Sequence, residues 1–366
     1  MKKLLSARLV VALSFLAMSL GADTSSAFSA SASASTVILY GAPHQDLMGI
    51  SLDSGLSQSL SPEGRLGRAI FTPPSEPRRW FIDAALIEDV MASLPTSTAA
   101  EKWISRLKII SAGDQIFAIP YGHPDISTTR KLSSTELNYY YEVSQSRLSV
   151  ALSREVLVDR NLRWASRNAS ILSEVKDSYI QNLRAIKLLT TVVSPTEFDS
   201  LRSKLAFLLA TDTTVKRRSL LRISADDAVA VQNHKLRIVE GKFRLTSEHE
   251  KVPITLVNDF GAIATLQLQL TPLNSRIHVN SIKNIKLLPR SKIQLSVPFT
   301  VIASGSTAVL AQFANSQGVQ LSDSVLLALN LSVISPAVAW FTTGAAILLF
   351  LAALTQSVRR VRRSRK

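Results

Sequence analysis

No charged side chain occurs between Asp323 and Arg359, and a run of that length restricts what the end of the chain can become. Pro336 divides it. Before the proline, Val325 to Val333 alternates as a strand does; after it, Ala337-Val-Ala-Trp-Phe-Thr-Thr-Gly-Ala-Ala-Ile-Leu-Leu-Phe-Leu-Ala-Ala-Leu354 is continuously apolar. A helix over 337–357 would be about 30 Å long at ~1.5 Å per residue, matching the hydrocarbon thickness of a bilayer. Trp340 and Phe341 fall where an interfacial aromatic belt is expected. Arg359, Arg360, Arg362, Arg363, Arg365 and Lys366 follow at once, and basic residues in that position hold a helix end in the cytoplasm. The run therefore predicts one transmembrane helix at 337–357 and a basic cytoplasmic tail at 358–366. That makes a single-pass protein of the cell membrane, with its ectodomain extracytoplasmic and its C-terminus cytoplasmic.

The N-terminus predicts the same orientation. Lys2, Lys3 and Arg8 precede the apolar stretch Leu9 to Leu20, which suits a signal-peptide core and is short for a spanning helix. Small residues crowd Ser25 to Ser35, with cleavage frames such as Ser25-Ser-Ala27 and Ala30-Ser-Ala32. A signal peptide over 1–30 is expected, and with it a secreted protein of the cell envelope.

A formal charge of +15 invites a nucleic-acid reading, but +6 of it lies in the last eight residues and +2 in the first 27. The remaining +7 is a mild excess, as suited to anionic wall polymers or lipid headgroups as to plain solvation. No nucleic-acid partner is expected; the expected partners are the membrane, through the C-terminal anchor, and a cell-wall glycan or envelope protein. The absence of cysteine removes disulfides, thiolate metal sites and cysteine nucleophiles.

Periodicity divides the body into three parts, a multidomain α+β chain. Over 235–334 Leu266, Leu268 and Leu270 share one face while Thr265, Gln267 and Gln269 share the other, the signature of a half-buried strand. The alternation recurs at Ile293–Phe299, Val309–Phe313 and Val325–Val333, and turn residues fall between. Seven or eight short strands in about 100 residues predict an immunoglobulin-like β-sandwich. Over 170–233 the spacing turns helical, at Ile171, Val175, Tyr179 and Leu183, from Pro195 through Leu208, and from Arg217 to Gln232. Over 36–165 strand-like runs at Val37–Tyr40, Trp80–Ile82, Gln115–Ile119 and Leu148–Leu152 alternate with helices at Ala84–Leu94 and Thr98–Ser111, a partial α/β region with too few strands for an eight-stranded barrel.

Two of those strands end beside residues able to do chemistry. Asp83 follows Trp80–Ile82, and Pro120-Tyr-Gly-His-Pro-Asp125 follows Gln115–Ile119. Ligands gather at the carboxyl ends of strands in α/β folds, so Asp83, His123 and Asp125 are candidates for acid–base hydrolysis of a sugar or for holding a divalent metal. The competing reading makes Asp83 and Asp125 helix caps, and it is preferred. Ser105/Lys108 and Ser173/Lys176 match Ser-x-x-Lys with no accompanying motif. His249-Glu250 lacks a second histidine, and no nucleotide-binding fingerprint is present. Tyr139-Tyr-Tyr141 suits a sugar platform less well than a half-buried helix face. No cofactor and no metal are expected. The sequons at Asn168 and Asn330 matter only in a glycosylating host.

Three stretches, Arg79-Trp-Phe-Ile-Asp-Ala-Ala-Leu86, Ala118-Ile-Pro-Tyr-Gly-His-Pro-Asp125 and Val252-Pro-Ile-Thr-Leu-Val-Asn-Asp259 with the apolar run and tail, together resemble an uncharacterised actinobacterial family. Its members are secreted, membrane-anchored envelope proteins, often encoded beside a predicted lipid II flippase. The resemblance covers about 75–366. It implies a degenerate barrel, like that of a polysaccharide deacetylase or glycosidase, followed by an immunoglobulin-like domain, and it carries no catalytic assignment. The expected function is non-catalytic binding of a wall polymer, a wall precursor or a partner protein; the alternative is a carbohydrate-active hydrolase or deacetylase using Asp83, His123 and Asp125.

Overall fold

A computed structural model describes residues 34–161, 170–332 and 336–363. The first stretch builds β1 (Ser35–Leu39), α1 (Gly55–Leu60), α2 (Arg65–Phe71), β2 (Arg78–Ile82), α3 (Ala84–Ser93), α4 (Thr98–Ile110), β3 (Gln115–Ala118), α5 (Ile126–Leu132), α6 (Ser134–Leu152) and β4 (Leu157–Val158). The four strands pair in parallel in the order β1-β2-β3-β4. Strand alternation puts Val37, Leu39, Trp80, Ile82, Ile116 and Ala118 into the main core, while Phe81, Phe117 and Ile119 form a smaller cluster. At the amino end of β2, Asp114 Oδ2 accepts from Trp80 Nε1 at 2.8 Å and from Arg78 Nε at 2.9 Å, so one carboxylate fixes the strand's starting register.

A helical layer follows: α7 (Ser173–Leu189), a 3-10 turn at Pro195–Phe198, α8 (Asp199–Lys204), a second 3-10 turn at Leu205–Leu209, and α9 (Val215–Asn233). The remaining strands are β5 (Leu236–Ile238), β6 (Gly241–Leu245), β7 (His249–Asn258), β8 (Ala264–Pro272), β9 (Ile277–Val279), β10 (Ile282–Leu287), β11 (Ser291–Val301), β12 (Gly305–Ala314) and β13 (Val325–Leu331). They form a five-stranded sheet, β10-β8-β12-β13-β6, and a four-stranded sheet, β5-β7-β11-β9. Leu266, Leu268, Leu270, Val309 and Phe313 from the first are buried in one core with Val252, Ile254, Leu256 and Phe299 from the second. That core is continuous with the α/β part. Phe198 meets the Phe260 ring edge-on at 5.3 Å, and Thr265 N donates to Val192 O at 2.9 Å.

Asn258 closes the turn between β7 and β8. Its Nδ2 donates to the carbonyls of Ala262, Leu287 and Leu288, and its Oδ1 accepts from Phe260 N. The residue is fully buried, so removing the amide strands several backbone groups without water. Asn258→Ala is expected to lower the unfolding free energy by about 2–3 kcal/mol, read as a lower denaturant midpoint at unchanged slope.

Three expectations are corrected. The fold class drawn from the sequence, a barrel-like α/β region, a helical layer, an immunoglobulin-like β-sandwich and a transmembrane helix, does not stand as a whole: the chain is a mixed α/β structure, and among the described residues no helix is long and apolar enough to cross a membrane. Helix α10 (Pro336–Arg363) occupies the expected position. It runs from Pro336 into Arg359, Arg360, Arg362 and Arg363 without supplying such a span. The single-pass localisation, with an extracytoplasmic body and a cytoplasmic C-terminus, falls with it. The expected signal peptide at 1–30 lies outside the described residues. Second, the parallel sheet is open, with β1 and β4 as its edges, so among the described residues nothing closes it into a barrel. Third, Leu148–Leu152, read as a strand, is the end of α6. Leu137, Tyr140, Tyr141, Ser144, Leu148 and Leu152 are buried along it at helical spacing, and the helix stops where Ser153 turns left-handed at φ 54°.

Candidate functional site

The carboxyl ends of β1, β2 and β3 gather the titratable residues. After β2 the chain turns straight into α3, and Asp83 takes the N-cap: the N–H groups of Ala85 and Gly122 both donate to its Oδ1 at 2.9 Å. The Asp83 carboxylate is buried, and that burial lifts its pKa from 3.8 to about 7; the two backbone bonds oppose the shift, and Asp89 and Glu88 add to it. After β3, Gly122 and His123 adopt φ of 73° and 45°. Gly122 is required there twice over, since a Cβ would sit 2.7 Å from Phe207 Cδ1 and the left-handed region penalises one in any case. The histidine ring packs against Tyr40, tilted by 32° with centroids 4.1 Å apart, and its Nδ1 lies 2.8 Å from Thr211 Oγ1 and 3.6 Å from Asp212 Oδ2. Asp125 caps α5, accepting from Thr128 N at 2.6 Å and Ser127 Oγ at 2.7 Å.

Segment 205–213 lies across these strand ends. Asp125 N donates to Leu209 O at 2.8 Å, Thr211 N donates to His123 O at 3.2 Å, and Pro124 bridges Ala210. Phe207 stacks on Tyr121 at 5.8 Å. Buried Arg218 of α9 holds the segment from behind, donating to the carbonyls of Leu208, Ala210 and Thr213 at 2.9–3.1 Å. Three polarised carbonyls solvate a guanidinium that has lost its water.

All three candidates from the sequence thus reach one end of the parallel sheet, where Asp83 and Asp125 hold helix starts and His123 ties the loop after β3 to residues 211–212. Sequence reasoning missed their neighbours. His44 Nδ1 lies 2.7 Å from Asp53 Oδ1, its backbone N–H donates to Asp89 Oδ2 at 2.9 Å, and Arg217 pairs with Asp53. Burial lowers the His44 pKa and raises that of Asp89 to about 6. The signal was available, because His44 follows β1 as Asp83 follows β2 and Asp53 stands nine residues further on; Arg217 arrives from a helix far along the chain. Among the described residues no group of three or more His, Asp or Glu side chains can hold a metal ion.

The other motifs lie elsewhere. Ser105 and Lys108 are exposed on α4, and Ser173 opens α7. Tyr139 carries Arg202 over its ring at 3.8 Å, and Tyr140 bonds Tyr179 through the hydroxyls at 3.0 Å, so these aromatics are engaged in packing.

A mixed α/β protein with this arrangement defines no single chemistry by its fold. The chain belongs to a family of unknown function, DUF6049, whose model matches residues 165–366; the resemblance to an uncharacterised family holds at that level. No curated protein is significantly similar in sequence. Among solved structures, a member of the MSP family from C. elegans, WR4, is 11% identical with a TM-score of 0.21, covering 26% of this chain and 97% of its own. The secreted serine protease VesC from Vibrio cholerae is 12% identical with a TM-score of 0.22, covering 30% of this chain and 25% of its own. A non-cellulosomal cohesin from the archaeon Archaeoglobus fulgidus is 12% identical with a TM-score of 0.19, covering 30% and 96%. Similarity this low carries no functional argument.

Proposed function

We propose that the chain is a non-catalytic binding protein whose ligand is a wall polymer, a wall precursor or a partner protein, and that it is a secreted protein serving an actinobacterial envelope. One observation carries the non-catalytic part: segment 205–213 seats on the strand ends, and the Asp83 and Asp125 carboxylates are held by backbone N–H groups. A glycoside hydrolase needs its two carboxyl groups facing a shared opening on either side of the scissile bond. Carboxylates that cap helices are turned toward the protein's own backbone.

The test uses the full chain with purified peptidoglycan fragments, scored for retention and, by mass spectrometry, for release of smaller or deacetylated products. Retention without product is expected. Product formed by the parent chain and lost in Asp83→Asn and Asp125→Asn would overturn the reading in favour of a carbohydrate hydrolase or deacetylase. Failure to retain any fragment would overturn its wall-polymer arm.

A further inference from the structure

The four-stranded sheet ends on β5, whose outer edge opens into a groove of about 680 Å³ lined by Leu236, Ile238, Leu321 and Val325, with Glu240 and Asp323 among its charged residues. The hydrogen bonds of β5 show which of its backbone groups are spent. Val239 N donates to Thr255 O at 3.0 Å and Asp259 N donates to Lys235 O at 2.9 Å, with Arg237 opposite Val257. In an antiparallel ladder alternate residues turn their backbone groups to opposite edges. Residues 235, 237 and 239 therefore face β7, while Leu236 and Ile238 turn their N–H and C=O groups outward. Among the described residues β5 has no second strand neighbour.

Beside β5 the two sheets part. β6 covers the edge of β13 only from Leu327 onward, leaving Val325 at the groove. The β6 edge carries exposed Lys242 and Arg244, the usual guard against stray strand pairing. The β5 groove is lined by both apolar and polar side chains, and its charges outside ion pairs are of the other sign. Arg237 is neutralised by Asp259, whereas Glu240 and Asp323 are exposed and, among the described residues, belong to no ion pair. Opposite charges attract, so an acidic rim favours a basic segment.

We propose that this groove binds an extended, basic polypeptide segment of a partner protein, which adds to β5 as a further strand through Leu236 and Ile238 and sets lysine or arginine side chains against Glu240 and Asp323. Strand addition of this kind draws affinity from main-chain bonds and specificity from the side chains alternating along it. The groove shares no residue with the strand-end site, so the proposal goes beyond the reading above and stands or falls separately from it.

Fluorescence polarisation of the full chain with a labelled alternating lysine–valine hexapeptide tests it. The controls are the glutamate–valine counterpart and a lysine–valine peptide with one central proline. The basic peptide is expected to bind at least tenfold more tightly than either control, and Glu240→Lys combined with Asp323→Lys is expected to reverse the charge preference. Ile238→Pro, which deletes one outward N–H, is expected to weaken binding at least fivefold; the charge reversal keeps the test decisive should that variant fold poorly. Equal binding of all three peptides, or indifference to the charge reversal, would overturn the proposal. So would a concentration-dependent dimer in sedimentation that the basic peptide cannot compete, since the occupant would then be a second copy of this chain.

Discussion

Asp83→Asn is expected to stabilise the protein at pH 8 by as much as roughly 4 kcal/mol while leaving it nearly unchanged at pH 4. The carboxyl group titrates near 3.8 when solvated and near 7 in the folded chain. The folded state therefore holds a proton that the unfolded state releases, and between those values stability falls as pH rises. Each pKa unit is worth about 1.4 kcal/mol, and the shift spans about three. Asparagine keeps an oxygen to accept from Ala85 and Gly122 and carries no charge to desolvate. Chemical denaturation of parent and variant at pH 4, 6 and 8 checks it, and the comparison is a difference because other groups move with pH as well: Asp89 in the same direction, His44 in the opposite one. Parallel stability curves for the two chains across that range would refute the assignment.

Glu136→Ala is expected to cost about 3–5 kcal/mol, with the loss read at neutral pH. The Ser133-Ser-Thr-Glu136 pattern looks like a capping box, and Ser133 does accept from Glu136 N, at 3.4 Å. The glutamate side chain instead leaves its own helix. Fully buried, it takes a two-pronged bond from Arg202 at 2.7 and 2.9 Å and a third contact from Lys187 at 2.8 Å. These partners hold its pKa below the usual carboxylate range despite burial, so its contribution is present above that range and disappears as acid protonates it. Arg202 also lies over Tyr139, so the truncation unseats a cation between α6 and α8. A variant as stable as the parent in urea at pH 7 would show the pair to be energetically idle.

What the sequence could express, it expressed through neighbours. The alternation of Leu266, Leu268 and Leu270 is a local pattern, and the same residues line the core. The capping roles of Asp83 and Asp125 follow from an acidic residue standing immediately before a helix, again local information. Contacts made over long separations were not legible. Arg217 reaches Asp53 across 164 positions, with no periodicity to announce it. The covering of the strand ends by 205–213 was equally silent, because Leu205-Ala-Phe-Leu-Leu209 reads as one more helical turn. Leu148–Leu152 failed for a different reason: four apolar residues in five satisfy both a strand and the last turns of a helix, and only the spacing back to Leu137 and Tyr140 decides between them. The uncharged run after Asp323 was read from its length, its aromatic pair and its basic tail, and α10 forms there without being long and apolar enough to cross a membrane.

Glu136, Asp125 and Tyr140, all upstream of residue 165, are joined to Arg202, Leu209 and Tyr179 within the stretch matched by the family. A boundary drawn by sequence kinship accordingly passes through a load shared by both sides. Cutting the chain there would leave each piece with half of every joint, so whatever inheritance preserves in this family, the object that folds is larger than the segment by which it is recognised.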